Sequence, residues 1–288
     1  MIIDAHAHLW KKQKGIVNGK PVYDIGGGKS DFGGEIRQMM PPYMTDGENS
    51  VERFLSNMDY AGVSGAVITQ EYIDGNQDEY LLSCKSDRIK ICALYEEKTL
   101  GDISGFDGVK ICAGRLQDKN LLNHIEPFRA ASDKGKFISI DLADGDGQTD
   151  MMQKIVEMFP NLKIAIGHFG MVTRENWLRQ IELAKNKNVF IESGGITWLF
   201  NDEFYPYPSA VRAINEAAEL VGFEKLMWGS DYPRTMTAIT YKMSLDFVEK
   251  TSEISETGKK LFLGENAEKF YGFTDISAPK KVRNMVED

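Results

Sequence analysis

Short apolar runs recur along this chain, and nearly all are separated by segments that read as helices. The first run opens the chain and ends in His6 and His8. The others cover residues 65–69, 89–94, 108–112, 137–141, 162–168, 189–192 and 226–231. Helices are expected over 51–61, 76–86, 121–134, 149–159, 175–185, 209–221 and about 238–251. Ser50 reads as an N-cap, although Arg53 stands where a capping box would want glutamate, and Gly62 reads as the stop. The stretch 96–106 is short for a helix. Eight short apolar strands alternating with helices predict a parallel sheet covered by helices. No dinucleotide fingerprint follows the first strand, which favours a closed (β/α)8 TIM barrel over an open doubly wound sheet. No domain boundary is visible, so residues 1–288 are expected to form one domain.

The exception to the alternation is 11–50, which reads as a long irregular insertion after strand one. Residues 16–23 within it suit a hairpin turning at Asn18-Gly19. Gly26-Gly27-Gly28 is not a phosphate loop, because no G-x-x-x-x-G-K-[ST] is present. A lid over a site at the end of the first strand is the expected role.

Composition narrows the partners. The formal net charge of -9 argues against nucleic acid and anionic membrane surfaces, while leaving an anionic small molecule open. Cys84, Cys92 and Cys112 form no C-x-x-C pair and read as buried reduced thiols. No charged-then-apolar leader precedes Ile2 and no apolar run approaches membrane-span length. A cytoplasmic protein is expected, with a homodimer as an admissible assembly.

In a barrel of this kind the active site lies at the C-terminal ends of the strands. Those ends carry His6 and His8, Gln70-Glu71, Lys110, Asp141, His168, Glu192 and Asp231. His6 and His8 sit two apart on a strand and project to one face, where two neutral imidazoles suit a divalent metal. His124 falls on an expected helix and reads as a packing or solvated residue. Arg115, Arg174 and Arg234 follow strand ends and offer forks for a carboxylate. Lys110, Glu71 and Glu192 are further substrate-contact candidates, and Trp10, Tyr72, Trp198 and Tyr232 are candidate pocket walls.

His6-Ala7-His8, Gly108-Val109-Lys110, Gly167-His168-Phe169-Gly170, Trp228-Gly229-Ser230-Asp231-Tyr232-Pro233 and the late Glu265-Asn266-Ala267 with Phe270-Tyr271 together resemble the amidohydrolase superfamily. The closest resemblance is to its amidohydrolase-2 branch, which includes amino-carboxymuconate semialdehyde decarboxylase-like enzymes and several lactonases. The resemblance implies that His6, His8 and Asp231 are metal ligands. It implies that His168 is a catalytic histidine or one placed behind the ligands, and His168 is also a candidate ligand. Enzymes of this branch often end strand five in a further histidine ligand. Here Asp141 stands in that place, so either it ligates the metal, or the site holds metal weakly, or none is needed.

The implied cofactor is one divalent ion, zinc first and manganese as the other choice. Such an ion activates water, a strand-eight aspartate moves its proton, and His168 holds the reacting carbonyl. The expected activity is hydrolysis of an ester, lactone or amide in a small carboxylated substrate. Nonoxidative decarboxylation on the same site, a metal-independent lactonase and a barrel that only binds a ligand are the alternatives.

Overall fold

The structure is a computed structural model and describes residues 1–280; the expected domain extends to 288, and 281–288 lie outside the described residues. Twelve strands occur in it: β1 (Ile3–His8), β2 (Lys14–Val17), β3 (Lys20–Gly26), β4 (Lys29–Phe32), β5 (Ile36–Gln38), β6 (Gly65–Thr69), β7 (Ile89–Tyr95), β8 (Gly108–Ile111), β9 (Phe137–Ile140), β10 (Ile164–Ile166), β11 (Val189–Glu192) and β12 (Leu226–Met227). Eight of them form one parallel sheet in the order β1-β6-β7-β8-β9-β10-β11-β12. The last strand returns to the first. Ala5 N–H donates to Trp228 O at 2.9 Å, and His8 N–H to Tyr232 O at 2.8 Å. The fold is the expected (β/α)8 barrel.

Nearly every barrel-strand residue is buried, because side chains fill the barrel and helices cover its outside. The helix Val51–Ala61 starts where Ser50 Oγ accepts from Arg53 N–H and ends at Gly62 in the left-handed region. At the opposite end from the site, Phe270, Tyr271 and Phe273 pack with Ile3, Val67 and Phe137 and close the barrel. No helix joins β7 to β8, in keeping with the short stretch 96–106.

Several boundaries differ from expectation, the helices expected over 76–86, 175–185 and about 238–251 being shorter at Asp78–Cys84, Leu178–Glu182 and Met243–Lys250, and three further differences have clear local reasons. The eighth strand is expected over 226–231 but is regular only over Leu226–Met227; beyond it the chain meets β1 through single contacts, and buried Asp4 captures Ser230 N–H at 2.9 Å and Ser230 O–H at 2.6 Å. Strand six stops at Ile166, ahead of His168 and Phe169, both with positive φ. The helix expected over 121–134 begins at Glu126, with Pro127 in its first turn, after a 3-10 turn at Leu121–Asn123. His124 at that junction is buried, hydrogen-bonded to Tyr95 Oη and Asp118 O.

The insertion is not irregular. β2 to β5 form a four-stranded antiparallel meander. Its first turn is Asn18-Gly19, both at positive φ, which matches the twist of a tight hairpin. Val22 and Ser30 are buried beneath it, and Ile16, Tyr23, Ile25 and Ile36 are exposed on it.

Candidate active site

A cavity of 710 Å³ lies at the C-terminal mouth of the barrel. His8, Asp141, His168 and Asp231 line it, together with Glu71, Cys112, Arg115, Trp198 and Arg234. Val17, Phe32, Arg37, Gln38 and Met39 of the insertion complete it.

The alternation of β1 brings His6 and His8 together, with their Nε2 atoms 3.1 Å apart. Asp231 Oδ1 lies 2.8 Å from His8 Nε2 and 3.9 Å from His6 Nε2. Behind them, Glu192 Oε1 is 2.5 Å from His6 Nδ1, so the proton of His6 belongs on Nδ1 and its lone pair faces Asp231. Trp198 indole N–H donates to Asp231 Oδ2 at 2.6 Å, leaving Oδ1 for the histidines. His168 has its ring centroid 4.8 Å from that of His6 and its Nδ1 2.8 Å from Gly194 O. Its Nε2 stands 3.6 Å from Asp141 Oδ2, and Lys110 Nζ donates to Asp141 Oδ1 at 2.6 Å. His168 and Asp231 both hold φ above +50°, a conformation that costs non-glycine residues about 1–2 kcal/mol.

Charge is arranged as tightly as geometry. Burial alone would raise Asp141, but the Lys110 ammonium and then His168 hold it well below the usual carboxylate range. Burial alone would lower His168, and the Asp141 carboxylate overrides that and lifts it to about 10. Asp231 is likewise held low against burial by its hydrogen bond and charge contact with His8. His8 is pushed down by burial and by the Arg234 guanidinium, so its neutral form is favoured.

Donors around a metal with bonds of about 2.1 Å stand about 3–3.4 Å apart at ordinary coordination angles. His6 Nε2 and His8 Nε2 at 3.1 Å fall within that range, Asp231 Oδ1 at 2.8 and 3.9 Å lies a few tenths of an ångström to either side of it, and the three donors make a grouping able to hold a divalent ion. Asp141 and His168 form a second possible grouping with His6. There, however, both Asp141 oxygens already face cations.

The residues expected to contact substrate separate into two groups. Arg115, Arg234 and Glu71 line the cavity. Arg115 Nε is 2.8 Å from Glu71 Oε1, and one Arg234 nitrogen donates to both oxygens of Asp74. The other five do not reach it. Lys110 is fully buried against Asp141, and Glu192 is fully buried behind His6. Arg174 is half exposed and paired with Asp144. Trp10 is buried with its N–H on Gly47 O and lies beneath Arg234, and Tyr232 packs on Phe54 and Tyr241. Asp74 and Gly194 have roles that no motif signalled.

The chain belongs to the amidohydrolase family: the amidohydrolase-2 family model, described as Amidohydrolase, matches residues 3–273. Among curated proteins no sequence matches it. Many solved structures share its fold, among them the following three. A protein of Acinetobacter baumannii described as a probable 2-pyrone-4,6-dicarboxylic acid hydrolase, with citric acid bound, superposes with a TM-score of 0.67 at 19% identity, over 94% of this chain and 99% of that one. An amidohydrolase of Burkholderia multivorans with bound zinc gives 0.66 at 16%, over 94% and 99%. A 5-carboxyvanillate decarboxylase of Novosphingobium aromaticivorans with manganese gives 0.53 at 18%, over 77% and 80%.

Proposed function

We propose that this protein is a metal-dependent hydrolase that opens an ester or lactone bond in a small carboxylated substrate. The carrying observation is the convergence of His6 Nε2, His8 Nε2 and Asp231 Oδ1 at the wall of a cavity that three arginines also line. Amide hydrolysis uses the same parts. A divalent ion held by those three donors, zinc or manganese, supplies Lewis-acid chemistry and lowers the pKa of water.

The chain's own residues do the rest. Glu192 fixes the His6 tautomer. Trp198 orients the Asp231 carboxylate, which takes a proton from attacking water and returns it to the leaving oxygen. His168, kept cationic by Asp141, presents Nε2 to the oxygen on which negative charge develops. Arg115 and Arg234 offer forks to the substrate carboxylate.

Decarboxylation is the second reading, favoured by the same cationic His168, which can protonate carbon as carbon dioxide leaves. A metal-independent lactonase is the third, because Lys110 already neutralises Asp141.

Elemental analysis of the purified protein beside a His6→Ala, His8→Ala double variant tests the reading, together with assays on carboxylated lactones. About one equivalent of zinc or manganese, lost in the variant along with hydrolysis, is expected. Lactone opening without metal would replace the reading by the third, and carbon dioxide release without hydrolysis would replace it by the second.

A further inference from the structure

Three guanidiniums face the cavity, and they belong to three different parts of the chain. Arg234 follows β12, Arg115 follows β8, and Arg37 comes from β5 of the insertion. Their charges act on one another in sequence. Arg234 lies within electrostatic reach of Asp231 and His8, Arg115 feels Arg234, and Arg37 feels Arg115. Arg234 is tied to buried Asp74. Arg115 Nε stands 2.8 Å from Glu71 Oε1, and the side chain is partly exposed at the cavity.

Arg37 differs from both. Its guanidinium carbon lies 4.7 Å from the centroid of the Phe32 ring, another cavity-lining side chain, so it is stacked rather than free to sweep. Its carboxylate partner, Glu35, lies two residues away, just ahead of the exposed strand β5, and bonds it at 2.8 and 2.9 Å. An ion pair that open to water is weakly held and readily exchanged for a better-placed carboxylate.

We propose that Arg37, with Arg115, recognises a second acidic group on the substrate, making it a dianion at least. Glu35 holds the place of that group until the substrate arrives. This deepens the hydrolase reading and rests on it for the position of the reacting bond. The carboxylate selection itself needs no reaction to be measured. It also gives the insertion a chemical role: it carries the residue that separates diacids from monoacids.

The test is binding of benzoate and isophthalate, one ring with one and with two carboxylates, to the full-length protein by calorimetry. Isophthalate is expected to bind about tenfold tighter than benzoate, as one added charge-assisted fork implies. Arg37→Gln should erase that ratio without changing benzoate, Arg37→Lys should keep part of it, and Glu35→Gln should widen it. Equal affinities in the unmodified protein, failure of both acids to bind, or a ratio untouched by Arg37→Gln would each overturn the proposal. Failure of the hydrolase reading shows separately, as absent metal or absent hydrolysis with the binding ratio intact.

Discussion

Lys110 Nζ donates to Asp141 Oδ1 across 2.6 Å, and the lysine has no exposure at all. β8 and β9 run side by side, which sets the lysine beneath Asp141, the residue that follows β9. Asp141 therefore comes with its own cation. Removing one member of such a buried pair strands the other. Lys110→Met is expected to cost about 3–5 kcal/mol, and adding Asp141→Asn should recover most of it. Urea unfolding of the two variants measures this, and a Lys110→Met cost below about 1 kcal/mol would contradict it.

Protonation of His168 should be visible in stability. Its value in the fold, about 10, lies above the ordinary histidine value of 6.5 because Asp141 outweighs burial. A group raised on folding stabilises fully below its unfolded value and loses that contribution as pH rises through the folded one. Chelator-treated protein should therefore lose stability between about pH 6.5 and 10. Asp141→Asn should flatten that slope. Melting temperature against pH reads both, and equal slopes in the two proteins would count against the pairing.

Glu192 is buried behind His6 and does not line the cavity, yet it should govern metal affinity. It holds His6 Nδ1 at 2.5 Å and also accepts Gly194 N–H at 2.6 Å. Carboxylates behind a ligand histidine set its tautomer and basicity, and losing one costs about 10–100-fold in affinity. Glu192→Gln is expected to weaken zinc by that factor, measured by competition with a chelating dye, while far-ultraviolet circular dichroism stays unchanged. Unaltered zinc affinity would leave Glu192 only a packing role.

The barrel was legible because each strand is a short apolar run, and a parallel sheet buried on both faces demands that pattern. His6, His8, His168 and Asp231 were legible because strand ends are where a barrel places its chemistry. What stayed hidden depends on side-chain direction and long-range pairing. Glu192 and Lys110 sit at strand ends like the others, but they turn inward behind His6 and Asp141, and nothing local distinguishes the two directions. Asp74 lies on a loop 160 positions from Arg234, with no spacing to link them. The insertion read as irregular because its strands are short and its exposed positions mix Ile16, Tyr23 and Ile36 with Lys14, Lys20, Lys29 and Arg37, which blurs the alternation of a half-buried strand.

The seam that fixes the insertion to the barrel runs along Gly15. Lys14 N–H donates to Asp74 O at 3.0 Å, and Ile16 N–H to Tyr72 O at 2.9 Å. Between them, a Cβ on Gly15 would stand 2.0 Å from Ile73 O, a backbone atom that cannot turn aside. Asp74 also accepts from Gln13 and anchors Arg234, so the seam connects the insertion to a cavity arginine. Gly15→Ala should part the meander from the 72–75 loop while the barrel core, which it does not enter, stays folded. Hydrogen exchange should quicken across 14–38 with β7 to β11 unchanged, and isophthalate should lose its advantage over benzoate as Arg37 leaves the cavity wall. Unchanged exchange over 14–38 would show that the insertion is held by contacts other than this seam.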